Sequence, residues 1–249
     1  MQNNYKPLLG TILDIGKELL VSGAEINRTE DTIKRLAFSY GAEDVNVFVI
    51  YSTISATVRF EGEEYTVTRG FPASTTTDFL KLERLNALSR RCAEESLSPL
   101  ELRKSFEDIC RKKPSYLKLT AGGALAAGSF ALFFGGSPWD ALTAAVFGVI
   151  IVLFQKYFSG IFPNKMLYTF VASLVSGIGI ILISKLVPLL NSDKVIIGAI
   201  MLLVPGKGIT NSARDILLGD TVSGASKLLE SLFLAGALAA GYLISLSIG

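Results

Sequence analysis

The spacing of hydrophobic positions along the chain changes twice. From Pro7 onward, Leu8, Leu9, Ile12, Leu13, Leu19 and Leu20 recur at helical intervals, and the proline suits a first helical turn. "SGAE" at 22–25 has the capping-box pattern, with Ser22 as cap and Glu25 reaching back from three residues later. It predicts a second helix with Ile26, Ile33, Leu36 and Tyr40 on one side, ended by Gly41. The period then falls to two. "VNVFVIY" at 45–51, "ISATVRF" at 54–60 and "YTVTR" after the turn "EGEE" read as three short strands in an antiparallel meander. Two more helices are expected at roughly 76–96 and 99–112, the second opened by Ser98 as cap, Pro99 and Glu101.

Beyond residue 113 the pattern becomes continuously apolar. Residues 116–134, about 139–158 and 166–184 each approach the roughly 20 apolar residues that cross a bilayer. A fourth segment starts near Ser192 but reads only "VIIGAIMLLV" before Pro205-Gly206, and a fifth runs from about Leu228 to Ile248. Small residues four apart, Gly123/Ala127, Ala124/Gly128 and Gly236/Ala240, suit close helix packing in lipid. The expected architecture is an α+β soluble amino-terminal domain, its helices flanking a small antiparallel sheet. An all-α membrane domain of about five transmembrane helices follows, with domain limits at 1–113 and 114–249.

Charge sharpens that division. Of the 46 Lys, Arg, Asp and Glu, 33 fall in residues 1–113. The near-neutral net charge of +2 gives no reason to expect a nucleic-acid partner. "MQNNYKPLLGTILDIGKELL" is too polar to read as a cleavable signal peptide. Basic residues gather at 111–113, Lys118, Lys156, Lys165, Lys207, Arg214 and Lys227. The loop at 135–138 has none, and the one near 185–194 has Lys185 and Lys194. The positive-inside rule therefore expects a cytosolic amino-terminal domain and, with five spans, an external carboxyl terminus; a four-span count, with the fourth segment only dipping in, reverses the latter.

Candidate chemistry is sparse. With no histidine, Ser-His-Asp and Cys-His catalysis are excluded within the chain. Cys92 and Cys110 read as reduced thiols, no metal-ligand spacing exists, and nothing calls for a cofactor. Glu25, Arg28 and Glu30 cluster on one helical turn, which is equally the pattern of a cap plus a solvated face. Pro205-Gly206 breaks the short fourth segment, and "ITNSARDILL" can restart a helix with Thr210 or Asn211 near its amino end and Gly219 after its last turn. Interrupted helices of this kind hold substrates in transporters. Arg214 would suit a carboxylate, helix N–H groups would assist it, and Asp215 or Asp220 would suit an ammonium group. An ordinary loop with a capped amphipathic helix fits the same residues. Glu230 reads as interfacial.

Two regions carry a family resemblance: "SGAEINRTEDTIKRLAFSYGA" with the following "VNVFVIYSTISATV", and "LLVPGKGITNSARDILLGDTVSGASKLLESL". The chain resembles the threonine/serine exporter family (ThrE-type), in its YjjP-like split form. The resemblance implies an inner-membrane export protein for small hydrophilic metabolites, of the threonine/serine type or dicarboxylates such as succinate. It also implies a second small multi-span membrane subunit and a homo-oligomer as partners, besides the lipid bilayer and the small-molecule substrate. It directs attention to Pro205, Gly206, Asn211, Arg214, Asp215, Gly219 and Asp220, and to Glu25, Arg28 and Glu30. Lys207-Gly208 departs from the apolar or small residues expected at that turn. Two further readings of residues 1–113 are a membrane-tethered hydrolase and a domain that senses a cytosolic ligand.

Overall fold

The computed structural model describes residues 5–50, 52–71, 78–112, 114–162 and 164–248. The chain forms two compact units. One comprises Met1–Lys113 with Asn211–Ser226, the other Pro114–Thr210 with Lys227–Gly249.

The first unit is built on α1 (Lys6–Val21), which buries residues around most of its circumference, from Leu8 and Leu9 to Leu19 and Leu20. It packs against α2 (Ile26–Ser39) and against a sheet of β1 (Asp44–Ile50), β2 (Thr53–Phe60) and β3 (Glu63–Gly70). The sheet is antiparallel in the order β1-β2-β3. Strand alternation sends Val45, Val47 and Val49 inward from β1, and Ile54, Ala56, Val58 and Phe60 from β2. The β2–β3 turn is Glu61-Gly62, both with positive φ, the pattern of a type I′ two-residue hairpin. The expected strand end at Tyr51 lies outside the described residues.

α3 (Phe79–Glu95) and α4 (Pro99–Arg111) complete this unit. Asp78 caps α3 by accepting from the Lys81 N–H, and the expected start at 76–77 lies outside the described residues. The Ser98/Glu101 capping box forms as the pattern requires, with Pro99 at the first position. The Ser22/Glu25 box does not form. Gly23, at φ +89°, ends α1 in a Schellman turn: the Ala24 N–H reaches Leu19 and the Gly23 N–H reaches Leu20. That turn delays α2 to Ile26, so Glu25 is its N-cap residue and its carboxylate is free of capping duty.

The second unit contains α5 (Tyr116–Phe133), α6 (Pro138–Phe158), α7 (Lys165–Leu186) and α8 (Ser192–Ile200). α9 (Gly206–Leu217) and α10 (Thr221–Ile248) are each divided between the two units. Among the described residues four helices are long and apolar enough to cross a membrane: α5, α6, α7 and α10. The fourth expected span corresponds to α8, whose nine residues reach only about 14 Å at 1.5 Å per residue.

Glycines set the closest approaches in this unit. A Cβ on Gly123 would lie 3.3 Å from the Gly148 carbonyl oxygen, and one on Gly128 3.0 Å from that of Ala141, so the α5 and α6 backbones touch. Gly198 brings α8 as closely onto Ala127. The expected Gly236 contact is absent, since Gly236 is exposed. Gly241 takes that role, with the Phe170 carbonyl of α7 beneath it. Asp140, 2% exposed, completes a capping box with Ser137 and accepts a second bond, 2.7 Å, from the Asn191 N–H. Asn191 in turn caps α8.

Candidate functional site

The candidate residues of the amino-terminal helices and those of the late polar segment meet in the first unit. Glu25, released from capping by the Gly23 turn, accepts a hydrogen bond of 2.6 Å at Oε1 from Nη1 of Arg214. Its Oε2 lies 3.9 Å from Nε of Arg28, one turn along α2. The Glu25 side chain is 20% exposed and the Arg214 side chain 54%, so the pair sits at a surface with the carboxylate the better shielded partner.

Glu30 lies on the following turn of α2. Its carboxylate accepts from the Val49 backbone N–H at the end of β1, and its pKa is raised. Burial is the main cause; Lys34 opposes the rise, while Asp220 and Asp31 add to it. Asp220 therefore belongs to the same electrostatic cluster. The segment bearing it is shaped by Gly219, at φ +100°, which closes α9 in a second Schellman turn with the Asp220 N–H on the Asp215 carbonyl. Gly219 fulfils its expected place after the last helical turn. Asp215 is buried on α9, close to the fully buried Ser212.

Sequence reasoning missed Gly224. A Cβ there would lie 2.9 Å from both the Ser212 carbonyl oxygen and the Ile216 nitrogen. Only glycine lets the first turn of α10 rest this closely against α9. The "DTVSG" stretch after Gly219 was the available signal, a glycine inside a helical pattern.

The remaining candidates lie elsewhere. Pro205, Gly206 and Thr210 belong to the second unit, and Asn211 is half-buried at the start of the first unit's segment. α9 begins at Gly206, not at Thr210 or Asn211, and the Thr210 hydroxyl donates to the Gly206 carbonyl inside the helix. Arg214 follows eight residues later, in the last turn, about 12 Å along the axis. The helix start and the Arg214 guanidinium therefore serve different points, and one carboxylate cannot engage both. At its actual position Arg214 complements the carboxyl end of the helix dipole.

A guanidinium offers five N–H donors, and Glu25 accepts from one of those of Arg214. Among the described residues no group of three or more His, Cys, Asp or Glu has the arrangement of a metal site. Cys92 and Cys110 are free thiols whose pKa values are pushed up, first by burial, which makes them poor nucleophiles.

The chain is 23% identical over 236 residues to "Threonine/serine exporter" of Corynebacterium glutamicum, covering 91% of this chain and 48% of that protein. It is 23% identical over 249 residues to "Probable threonine/serine exporter" of Mycobacterium tuberculosis (strain ATCC 25618 / H37Rv), covering 97% of this chain and 46% of that one. The chain thus spans about half the length of the curated relatives it matches. No solved structure matches it. The family model that matches is one of membrane exporters rather than enzymes, and its match runs over residues 10–249. On that match the chain belongs to the threonine/serine exporter family, ThrE.

Proposed function

We propose that this chain is one part of a secondary exporter for small amino acids of the threonine/serine type, with Arg214 at the cytosolic entrance of the substrate path. The observation that carries the reading is the Glu25–Arg214 pair at 2.6 Å. Residue 214 shares a membrane face with the amino-terminal unit because it touches that unit. Three spans, α5, α6 and α7, separate residue 113 from residue 190 and leave the chain on the opposite face. The chain must then return, and α8 with residues 201–210 is the only stretch available to bring it back. In this reading the chain crosses five times, the fourth crossing being a broken segment interrupted at Pro205. Broken segments of this kind line substrate paths because their unpaired backbone groups need polar partners.

In this reading the positive-inside rule puts the amino-terminal unit in the cytosol. A substrate carboxylate competes with Glu25 for Arg214, and its ammonium group meets Asp220 or Asp215. Passage then continues past Thr210 and Gly206 in the broken segment. In this reading a second small multi-span subunit completes the path, and the assembly is homo-oligomeric. The test is efflux of labelled serine, threonine and succinate from vesicles holding this chain with and without that partner. Export of serine or threonine that Arg214→Ala reduces at least tenfold, with insertion intact, supports the proposal. Wild-type export by Arg214→Ala overturns the site, and succinate as the sole exported solute overturns the substrate class.

A further inference from the structure

A second feature of the first unit lies apart from the Glu25–Arg214 cluster. An open cleft of about 570 Å³ lies between the first turn of α1, the end of β3 and the first two turns of α4. Lys6, Arg69 and Arg103 line it, together with Gly10, Leu100 and other uncharged residues; no carboxylate does.

The two guanidinium groups are fixed in place. Asp14 accepts from Arg69 Nε at 2.7 Å through one oxygen and from Arg103 Nη1 at 3.1 Å through the other. Arg103 Nε also donates to Glu107 at 2.7 Å. Gly10 makes room for the first of them, because a Cβ at that position would lie 3.0 Å from Arg69 Nη2. Asp14 and Glu107 together balance the two guanidinium groups, so the net positive charge on the cleft wall comes from Lys6, and the opening turns of α1 and α4 add the positive ends of their dipoles. Volume and charge match a small-molecule site, since ligand pockets run to about 300–1,000 Å³.

We propose that this cleft binds a small soluble dianion, a dicarboxylate or a phosphate monoester, through Lys6, Arg69 and Arg103. The site is independent of the export reading. Its ligand regulates or accompanies the unit rather than passing through the broken segment.

The test is calorimetric titration of the full chain in zwitterionic nanodiscs, at low ionic strength, with succinate, inorganic phosphate and, as a zwitterionic control, serine. Saturable one-to-one binding of either dianion is expected, and the arm that binds tells dicarboxylate from phosphate. Lys6→Gln and Leu100→Glu should each weaken it about tenfold. Both positions are exposed, and an acidic residue in the first turn of α4 favours that helix, so folding is preserved. Arg59→Gln, which removes an exposed cation paired with Glu64 on the sheet, should bind as the wild type does. The proposal is overturned if neither dianion binds saturably, if Lys6→Gln and Leu100→Glu bind like the wild type, or if Arg59→Gln weakens binding equally.

Discussion

Glu25 and Arg214, 189 positions apart in the chain, are joined by a hydrogen bond of 2.6 Å between carboxylate and guanidinium. Because Arg214 is more than half exposed, water and salt screen the pair, and its contribution to stability is at most about 1 kcal/mol. Glu25→Gln is expected to leave thermal unfolding within a few degrees of the wild type. Its effect belongs to transport. With its competitor gone, Arg214 should capture substrate more readily, so the half-saturating concentration for export falls. Efflux measured against internal substrate concentration checks this; an unchanged half-saturation together with a large loss of stability would make the pair structural.

Glu30 gives a pH-dependent expectation. Burial raises its pKa in the folded chain above the unfolded value, so its stabilising contribution is complete below the unfolded pKa. That contribution is lost as pH rises through the folded value. Glu30→Gln stays neutral throughout and is expected to be more stable than the wild type near neutral pH. The advantage should vanish at pH 4 and below, where the wild-type carboxyl is protonated too. Unfolding temperatures of both proteins from pH 4 to pH 8 measure it, and a constant difference over that range would contradict the assignment.

Asp140 sits in the second unit and holds two helix starts together. It accepts from the Ser137 N–H at 2.7 Å within its own capping box and from the Asn191 N–H at 2.7 Å ahead of α8. Charged acceptors with buried donors contribute about 1.5–3 kcal/mol each. Asp140→Ala should therefore destabilise the chain by about 2–4 kcal/mol, seen as faster proteolysis near residues 187–191 and a lower unfolding temperature. Asp140→Asn, which keeps an acceptor but not the charge, should lose roughly half as much.

How far these features were legible depends on whether their physics is local. Gly41 and Gly219 were readable as helix ends because a glycine after a periodic segment is a local signal, and the Ser98-Pro99-Leu100-Glu101 box was readable for the same reason. Ser22 and Glu25 misled because the same four residues also contain Gly23, and a Schellman turn won over a capping box. The restart of α9 was set at Thr210 or Asn211 because Lys207 between two glycines is a poor helix opening by propensity; tertiary packing overrode it, with Gly208 closely approached by Ser231. The Glu25–Arg214 pair had no local signature at all. Periodicity identifies the face of a helix, not its partner, and each member of the pair fits a solvated surface when taken alone.

The membrane path of residues 187–213 yields the most direct prediction. After substitution of Cys92 and Cys110, single cysteines at Leu189 and Ala213, both exposed, are to be labelled with a membrane-impermeant maleimide. If the Glu25–Arg214 contact exists in the bilayer, residue 213 shares a face with the amino-terminal unit, marked by a third single cysteine at exposed Phe48 on β1. In the proposed topology α5, α6 and α7 each cross once, which puts residue 189 on the other face. Position 213 should therefore label together with position 48 and oppositely to 189 in right-side-out and inverted vesicles. Labelling of 189 and 213 from one face would mean that α8 enters and leaves on the same side. With three complete spans before it, that outcome would separate Arg214 from Glu25 by the width of the membrane and remove the basis for placing the substrate entrance there.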